Sequence, residues 1–183
     1  NLSSDFYSNS KRPILQEEQE FIAELLNLKT QNQAFERLII NYQRPLYNHI
    51  RNIVLNHDDA DDVLQNTFIK IFQNLKNFKG ESKIFSWMYR IATNEALSFL
   101  KQKAKKSGIS SETLQNKALD YLEADVYFEG NEIQLKLQKA IDSLPEKQRL
   151  IFKMKYFEEL KYEEISSILG TSVGGLKASY HIA

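Results

Sequence analysis

Four aspartates in five positions, Asp58, Asp59, Asp61 and Asp62, form the densest cluster of potential ligands in the chain. Carboxylates so close could hold a divalent cation, but a helix spreads them around its sides and no glycine supplies a coordinating loop. Favourable negative charge at a helix start, behind the cap-like Asn56, is the simpler chemistry. Asp58, Asp62, Gln65 and Ile69 recur at helical spacing, a row that could also dock a basic or polar partner helix. A second group follows at once. Phe78, Lys79, Ser82, Lys83 and Phe85 occupy a Gly80-containing loop, and Trp87, Arg90, Asn94 and Lys101 lie on the helix after it. Aromatic rings beside cations suit an unpaired nucleic-acid strand, each stacked base contributing roughly 1–3 kcal/mol, and the Asn94 amide suits a base edge. Aromatics on an amphipathic helix equally serve as packing, and the pattern alone leaves both readings open. His49, His57 and His181 are scattered, cysteine is absent, and no nucleophile or phosphate loop occurs, so binding is expected rather than catalysis, with no cofactor or metal.

The elements that must position these residues are helical. The 183 residues are 42% hydrophobic with only 6 Gly and 3 Pro, a composition that favours helices around a core. The formal net charge is zero, but it is segregated: residues 1–36 carry −3, 37–106 carry +6, 107–132 carry −5 and 133–183 carry +2. The positive field coincides with the aromatic group, as a phosphate-binding surface requires. No apolar run is long enough to span a membrane, so a cytoplasmic protein without membrane insertion is expected.

In order, residues 1–16 read as a mobile arm, and a helix is expected from Glu17. A second helix starts near Gln31, is broken or kinked at Pro45, and regains its period at Tyr47, Ile50 and Ile53. Leu64, Phe68, Ile71, Phe72 and Leu75 form the buried stripe of the aspartate helix. On the helix over 84–103, Trp87, Ile91 and Leu97 are expected to face the core and Tyr89 a more exposed row. Residues 107–132 read as a flexible acidic connector with a short helix at most. Beyond it come helices over 132–143 and 146–157, then one over 162–169, a turn at Gly170, and a helix from Ser172. Ile165, Leu169, Val173, Leu176 and Tyr180 are spaced to bury the angle between the last two, as in a helix-turn-helix, although a plain helical hairpin gives the same pattern. The predicted fold is all-α: two small helical domains, 17–106 and 133–183, joined by the linker.

Three stretches together, DDADDVLQNTFIKIF, FKGESKIFSWMYRIATNEA and LPEKQRLIFKMKYFEELKYEEISSILGTSVGGLKASY, resemble the successive motifs of bacterial extracytoplasmic-function sigma factors. The resemblance covers about residues 20–183. It implies a promoter-specificity subunit whose partners are core RNA polymerase, through the clamp of the largest subunit and the flap of the second-largest, promoter DNA, and an anti-sigma factor. Asp58, Asp61, Asp62, Gln65 and Ile69 would then face polymerase. Phe78, Lys79, Ser82, Lys83, Phe85, Trp87, Arg90, Asn94 and Lys101 would handle the opened minus-ten strand. Thr171, Ser172, Gly174, Gly175, Lys177, Ala178 and His181 would read the minus-thirty-five duplex. The chain departs from the pattern at Ser98, often acidic in the family, and at Ser179 and Ile182, often Arg. Duplex contacts are therefore expected from Lys177, His181 and backbone groups at the helix start, or from a basic end that was trimmed. A helix-turn-helix regulator acting without polymerase, or an all-helical interaction module, are the alternatives.

Overall fold

The computed structural model describes residues 11–120 and 132–182, and every regular element among them is helical. The helices are α1 (Lys11–Leu26), α2 (Gln31–Val54), α3 (His57–Asn74), α4 (Ile84–Ser107), α5 (Ser111–Asp120), α6 (Glu132–Asp142), α7 (Glu146–Tyr156), α8 (Tyr162–Leu169) and α9 (Val173–Ile182). A single 3-10 turn, Leu75–Asn77, follows α3.

Three helices extend beyond the sequence expectation, α4 by continuing from 103 to Ser107. α1 starts six residues before Glu17, with Pro13 in its first turn, where a helix needs no N–H donor. α2 runs unbroken through Pro45; the carbonyl left without its helical partner belongs to Asn41, an exposed residue, so no buried group is stranded. Leu55 then turns left-handed at φ 66°, and extended Asn56 starts α3 by accepting the Asp59 N–H on its side-chain oxygen at 3.0 Å. This two-residue reversal lays α3 back along α2. α4 packs on both, and Leu38, Leu46, Ile50, Val63, Ile71, Ile84, Met88, Ala92 and Ala96 form the shared core.

α5 lies within the stretch read as linker and packs against α4, its buried Gln115 donating to the Ile53 carbonyl at 3.3 Å. The acidic residues 121–131 and the arm residues 1–10 lie outside the described residues. The second unit, α6 to α9, has a smaller core of Ile141, Ile151, Met154, Ile165, Ile168 and Leu176. Gly170, at φ 66°, makes the left-handed turn between α8 and α9 that a side chain would strain. The units touch: α4 lies along α8, and α2 meets α7.

Candidate functional site

The aspartate helix presents a continuous outer row. Asp58, Asp62, Gln65 and Ile69 are exposed, with Ile69 at 54%. Asp59 and Asp61 sit beside it with partners of their own: Lys103 of α4 donates to Asp59, and His57 lies 3.4 Å from Asp61. Among the described residues no three acidic or histidine side chains converge as metal ligands. Phe72, expected in the buried stripe, is 40% exposed at the end of the row, its ring edge-on to Phe35 at 4.9 Å. Leu64 and Phe68 fill the space beneath it, so the helix turns a mixed acidic and apolar face outward.

The aromatic group divides into floor and rim. Phe78 and Phe85 are buried, Phe78 against Trp87 at 5.1 Å and Phe85 against Tyr89 at 4.1 Å. Trp87 is half-buried. Lys79, Gly80, Glu81 and Lys83 are exposed around them, with Ser82 half-buried. Along α4, Arg90, Asn94, Ser98 and Lys101 are exposed on successive turns. Tyr89, expected outside, is instead 3% exposed and lies against His49 at 4.8 Å. Its row is covered by α2, a neighbour that spacing within α4 does not reveal. The start of α4 is capped from a distance: Lys83 supplies no side-chain cap, and Glu18 of α1 accepts the Ile84 N–H at 3.0 Å.

The helix-turn-helix is held by Leu176 and Ile165 at its centre and by an aromatic stack in which Phe152 of α7 faces Tyr180 of α9 at 5.4 Å. Ser172 accepts the Gly175 N–H at 3.2 Å at the head of α9. A side chain at Gly175 would crowd Ser172 and Thr171 at 3.2 and 3.3 Å, whereas Gly174 opens to free space. Ser172, Gly174, Lys177, Ala178 and His181 are exposed and Thr171 half-buried, and Lys177 reaches over the Tyr162 ring.

Sequence reasoning missed a set of buried polar groups where the two units meet. His49, 1% exposed, places Nδ1 2.9 Å from both Glu158 carboxylate oxygens and Nε2 2.7 Å from the Thr93 hydroxyl. Lys153, 2% exposed, donates to the Asn52 carbonyl and lies 2.5 Å from the buried Asp142 carboxylate. Burial holds the Lys153 ammonium below its ordinary value, against the opposing pull of Asp142. Arg90 donates to the Ser167 carbonyl in the last turn of α8 at 2.5 Å. The separation of 109 positions from His49 to Glu158 kept any local pattern from announcing the pair.

Comparison with known proteins accounts for both units. Residues 38–106 match the family model for sigma-70 region 2, and residues 134–182 that for sigma-70 region 4. The chain is 30% identical over 155 residues to the RNA polymerase sigma-H factor of Pseudomonas aeruginosa, covering 79% of each chain. It is 28% identical over 165 residues to the ECF RNA polymerase sigma-E factor of Escherichia coli, covering 82% of each. In fold it is similar to CnrH, solved in complex with the cytosolic domain of CnrY, with TM-score 0.63, 18% identity and 91% of each chain covered. It is also similar to the Bartonella quintana sigma factor RpoE, solved with the anti-sigma factor NepR, with TM-score 0.59, 18% identity and 80% of this chain covered against 89% of that one. The acidic helix, the aromatic loop and the helix-turn-helix thus stand in the order of regions 2 and 4, and the chain belongs to the extracytoplasmic-function group of the sigma-70 family.

Proposed function

We propose that the chain binds core RNA polymerase through the outer row of α3, reads and opens the minus-ten element with residues 78–101, and reads the minus-thirty-five element with residues 171–181. The observation that carries this reading is the division of labour between two adjoining helices of the region 2 unit. α3 turns Asp58, Asp62, Gln65 and Ile69 outward, and α4 turns Arg90, Asn94 and Lys101 outward. One face has the mixed acidic and apolar chemistry of a protein contact, with Phe72 extending its apolar end. The other has the cationic and amide chemistry of a nucleic-acid contact. The rim lysines Lys79 and Lys83 serve phosphate, while half-buried Trp87, above the buried Phe78 and Phe85, offers the aromatic surface for an unstacked base. Duplex contacts come from Lys177, His181 and the N–H groups at the head of α9, beside Thr171, Ser172, Gly174, Gly175 and Ala178. An anti-sigma partner, as the Bartonella quintana relative has, belongs to the same reading.

Two weak DNA contacts on one chain raise each other's effective concentration, so neither unit needs high affinity alone. Unpairing a base opposes opening by roughly a few kcal/mol, which the stacking floor and polymerase together offset. Reconstitution with bacterial core polymerase and mapping of transcripts from genomic DNA tests the reading. Promoter-dependent starts preceded by two spaced elements are expected. No such transcript, together with tight duplex binding by the protein alone, would instead identify a polymerase-independent regulator. Asp62→Ala with Gln65→Ala should weaken polymerase binding. Asn94→Ala should impair initiation while leaving polymerase binding intact, and equal loss of both would exclude a DNA role for Asn94.

A further inference from the structure

Resting on the docking reading above, we propose that His57 is a positioning residue for the outer row of α3, and that a proton on its ring weakens the hold of that row on polymerase. His57 is the first residue of α3, and its side chain is 25% exposed, so the ring exchanges protons with solvent. Both ring nitrogens are engaged. Nδ1 lies 2.5 Å from the Tyr47 hydroxyl of α2, and Nε2 lies 3.4 Å from the Asp61 carboxylate, one turn along α3. The Tyr47 ring stands edge-on to the imidazole at 5.8 Å, which pins it between the two helices just past the reversal at Leu55 and Asn56. His57 thus acts on the row through Asp61.

The four aspartates at the head of α3 do not offer equal charge to a partner. Asp59 is paired with Lys103 of α4. Asp58 and Asp62 are exposed and form no ion pair among the described residues. Asp61 has a conditional partner. A neutral imidazole takes the Tyr47 proton on Nδ1 and turns its one N–H, on Nε2, toward Asp61. A charged imidazole donates from both nitrogens and sets a full positive charge beside the same carboxylate, drawing Asp61 inward and cancelling it. The other charged neighbours are Arg44 and Arg51 on α2, one turn either side of Tyr47, and Lys103 on α4. All three are cations, so a proton on the ring adds to them and opposes the aspartates. A row that docks a basic partner draws it in by its negative field, and removing one of three uncommitted carboxylate charges weakens the attraction. Histidine is the side chain whose charge changes between about pH 5 and 8, so docking should strengthen as pH rises through that range and weaken as it falls. By linkage, a cationic partner in turn expels the proton.

Affinity of the full chain for core polymerase, measured from about pH 5.5 to about pH 8 at fixed ionic strength, tests this with two variants. Polymerase has titrating groups of its own, so the readout is the difference from His57→Gln, which stays neutral and keeps a donor and an acceptor at the place of the ring. The parent should match His57→Gln at the alkaline end and bind about two- to fivefold more weakly at the acid end, the size of one exposed ionic contact. His57→Lys, a cation throughout, should bind as the protonated parent does at every pH. High salt should shrink these differences, as it does for a field acting through solvent and not for a change in packing. Parallel pH profiles in the parent and His57→Gln overturn the inference and leave the docking reading standing. So does a difference that survives high salt, or a His57→Lys protein that binds like the parent at the alkaline end. If neither the parent nor either variant binds polymerase at any pH, the docking reading falls and this inference with it.

Discussion

The two units of this chain are built on different principles. Region 2 is stabilised by long helices over an apolar centre: Leu38, Leu46, Ile50, Ile71 and Met88 are completely covered, each burial contributing about 1.5–3 kcal/mol relative to exposure. Region 4 has helices of 8 to 11 residues, too short to be stable alone, and its interior includes Asp142, Arg149 and Lys153. Arg149 donates to the carbonyls of Asp142 and Leu144, and Lys153 pairs with Asp142 and also reaches into region 2. The first unit carries the larger apolar core. The second is held by a few buried charges and by its contacts with the first.

The largest effect is expected from Lys153→Met. It leaves the Asp142 carboxylate, 2% exposed as a residue, without its cation and removes the link to Asn52. Unpairing a buried charge costs about 3–5 kcal/mol, more than the small region 4 core can absorb. Calorimetry should show region 4 melting early and region 2 near its original temperature; a single undivided shift would mean the units are one cooperative body. The pH dependence carries a sign. Because burial lowers the Lys153 pKa below 10.5, the unfolded chain binds more protons than the folded one between the lowered value and 10.5. Stability conferred at this site is complete above 10.5 and is lost as pH falls through the lowered value. The difference in stability between parent and Lys153→Met should therefore widen with rising pH across that window.

Ile71→Ala is the counterpart on the platform. Ile71 is fully buried between α2, α3 and α4, and truncating such a side chain costs about 2–5 kcal/mol through lost burial and the cavity left behind. Region 2 should soften, and with it the outer row of α3, so polymerase binding should fall along with the melting temperature. A loss of polymerase binding without a change in melting would point to a contact role that full burial does not suggest.

What the sequence reveals follows the same division. The helix-turn-helix, the Asn56 cap and the exposed rows of α3 and α4 are written in spacings of three and four residues and in single turn residues such as Gly170, so they are legible locally. The burial of Tyr89, the pairing of His49 with Glu158 and the charges under region 4 depend on elements far apart in the chain. Lys153 on an amphipathic helix reads as an ordinary solvated lysine until α2 is laid over it. Pro45 reads as a breaker until the carbonyl it strands proves to belong to an exposed residue, Asn41. Phe78 and Phe85 were legible as an aromatic loop, but their place as floor rather than rim depends on how α4 meets the turn after α3.

The smallest effect separates shape from stability within region 2. Glu18 of α1 accepts the Ile84 N–H and so fixes the first turn of α4, next to the lysine rim at Lys79 and Lys83. Removing a cap costs about 1 kcal/mol, little against the core beneath it, so Glu18→Ala should barely move the melting temperature. Its effect should fall on function: a frayed α4 start loosens the loop over the aromatic floor and shortens the lifetime of the opened promoter complex. Glu18→Gln keeps an oxygen for the same N–H and should restore most of that lifetime. Open-complex decay measured for the three proteins, with polymerase affinity as the reference, is the check. If Glu18→Ala leaves the decay unchanged, or if Glu18→Gln fails to restore it, α1 does not position the loop over 78–83 through this hydrogen bond.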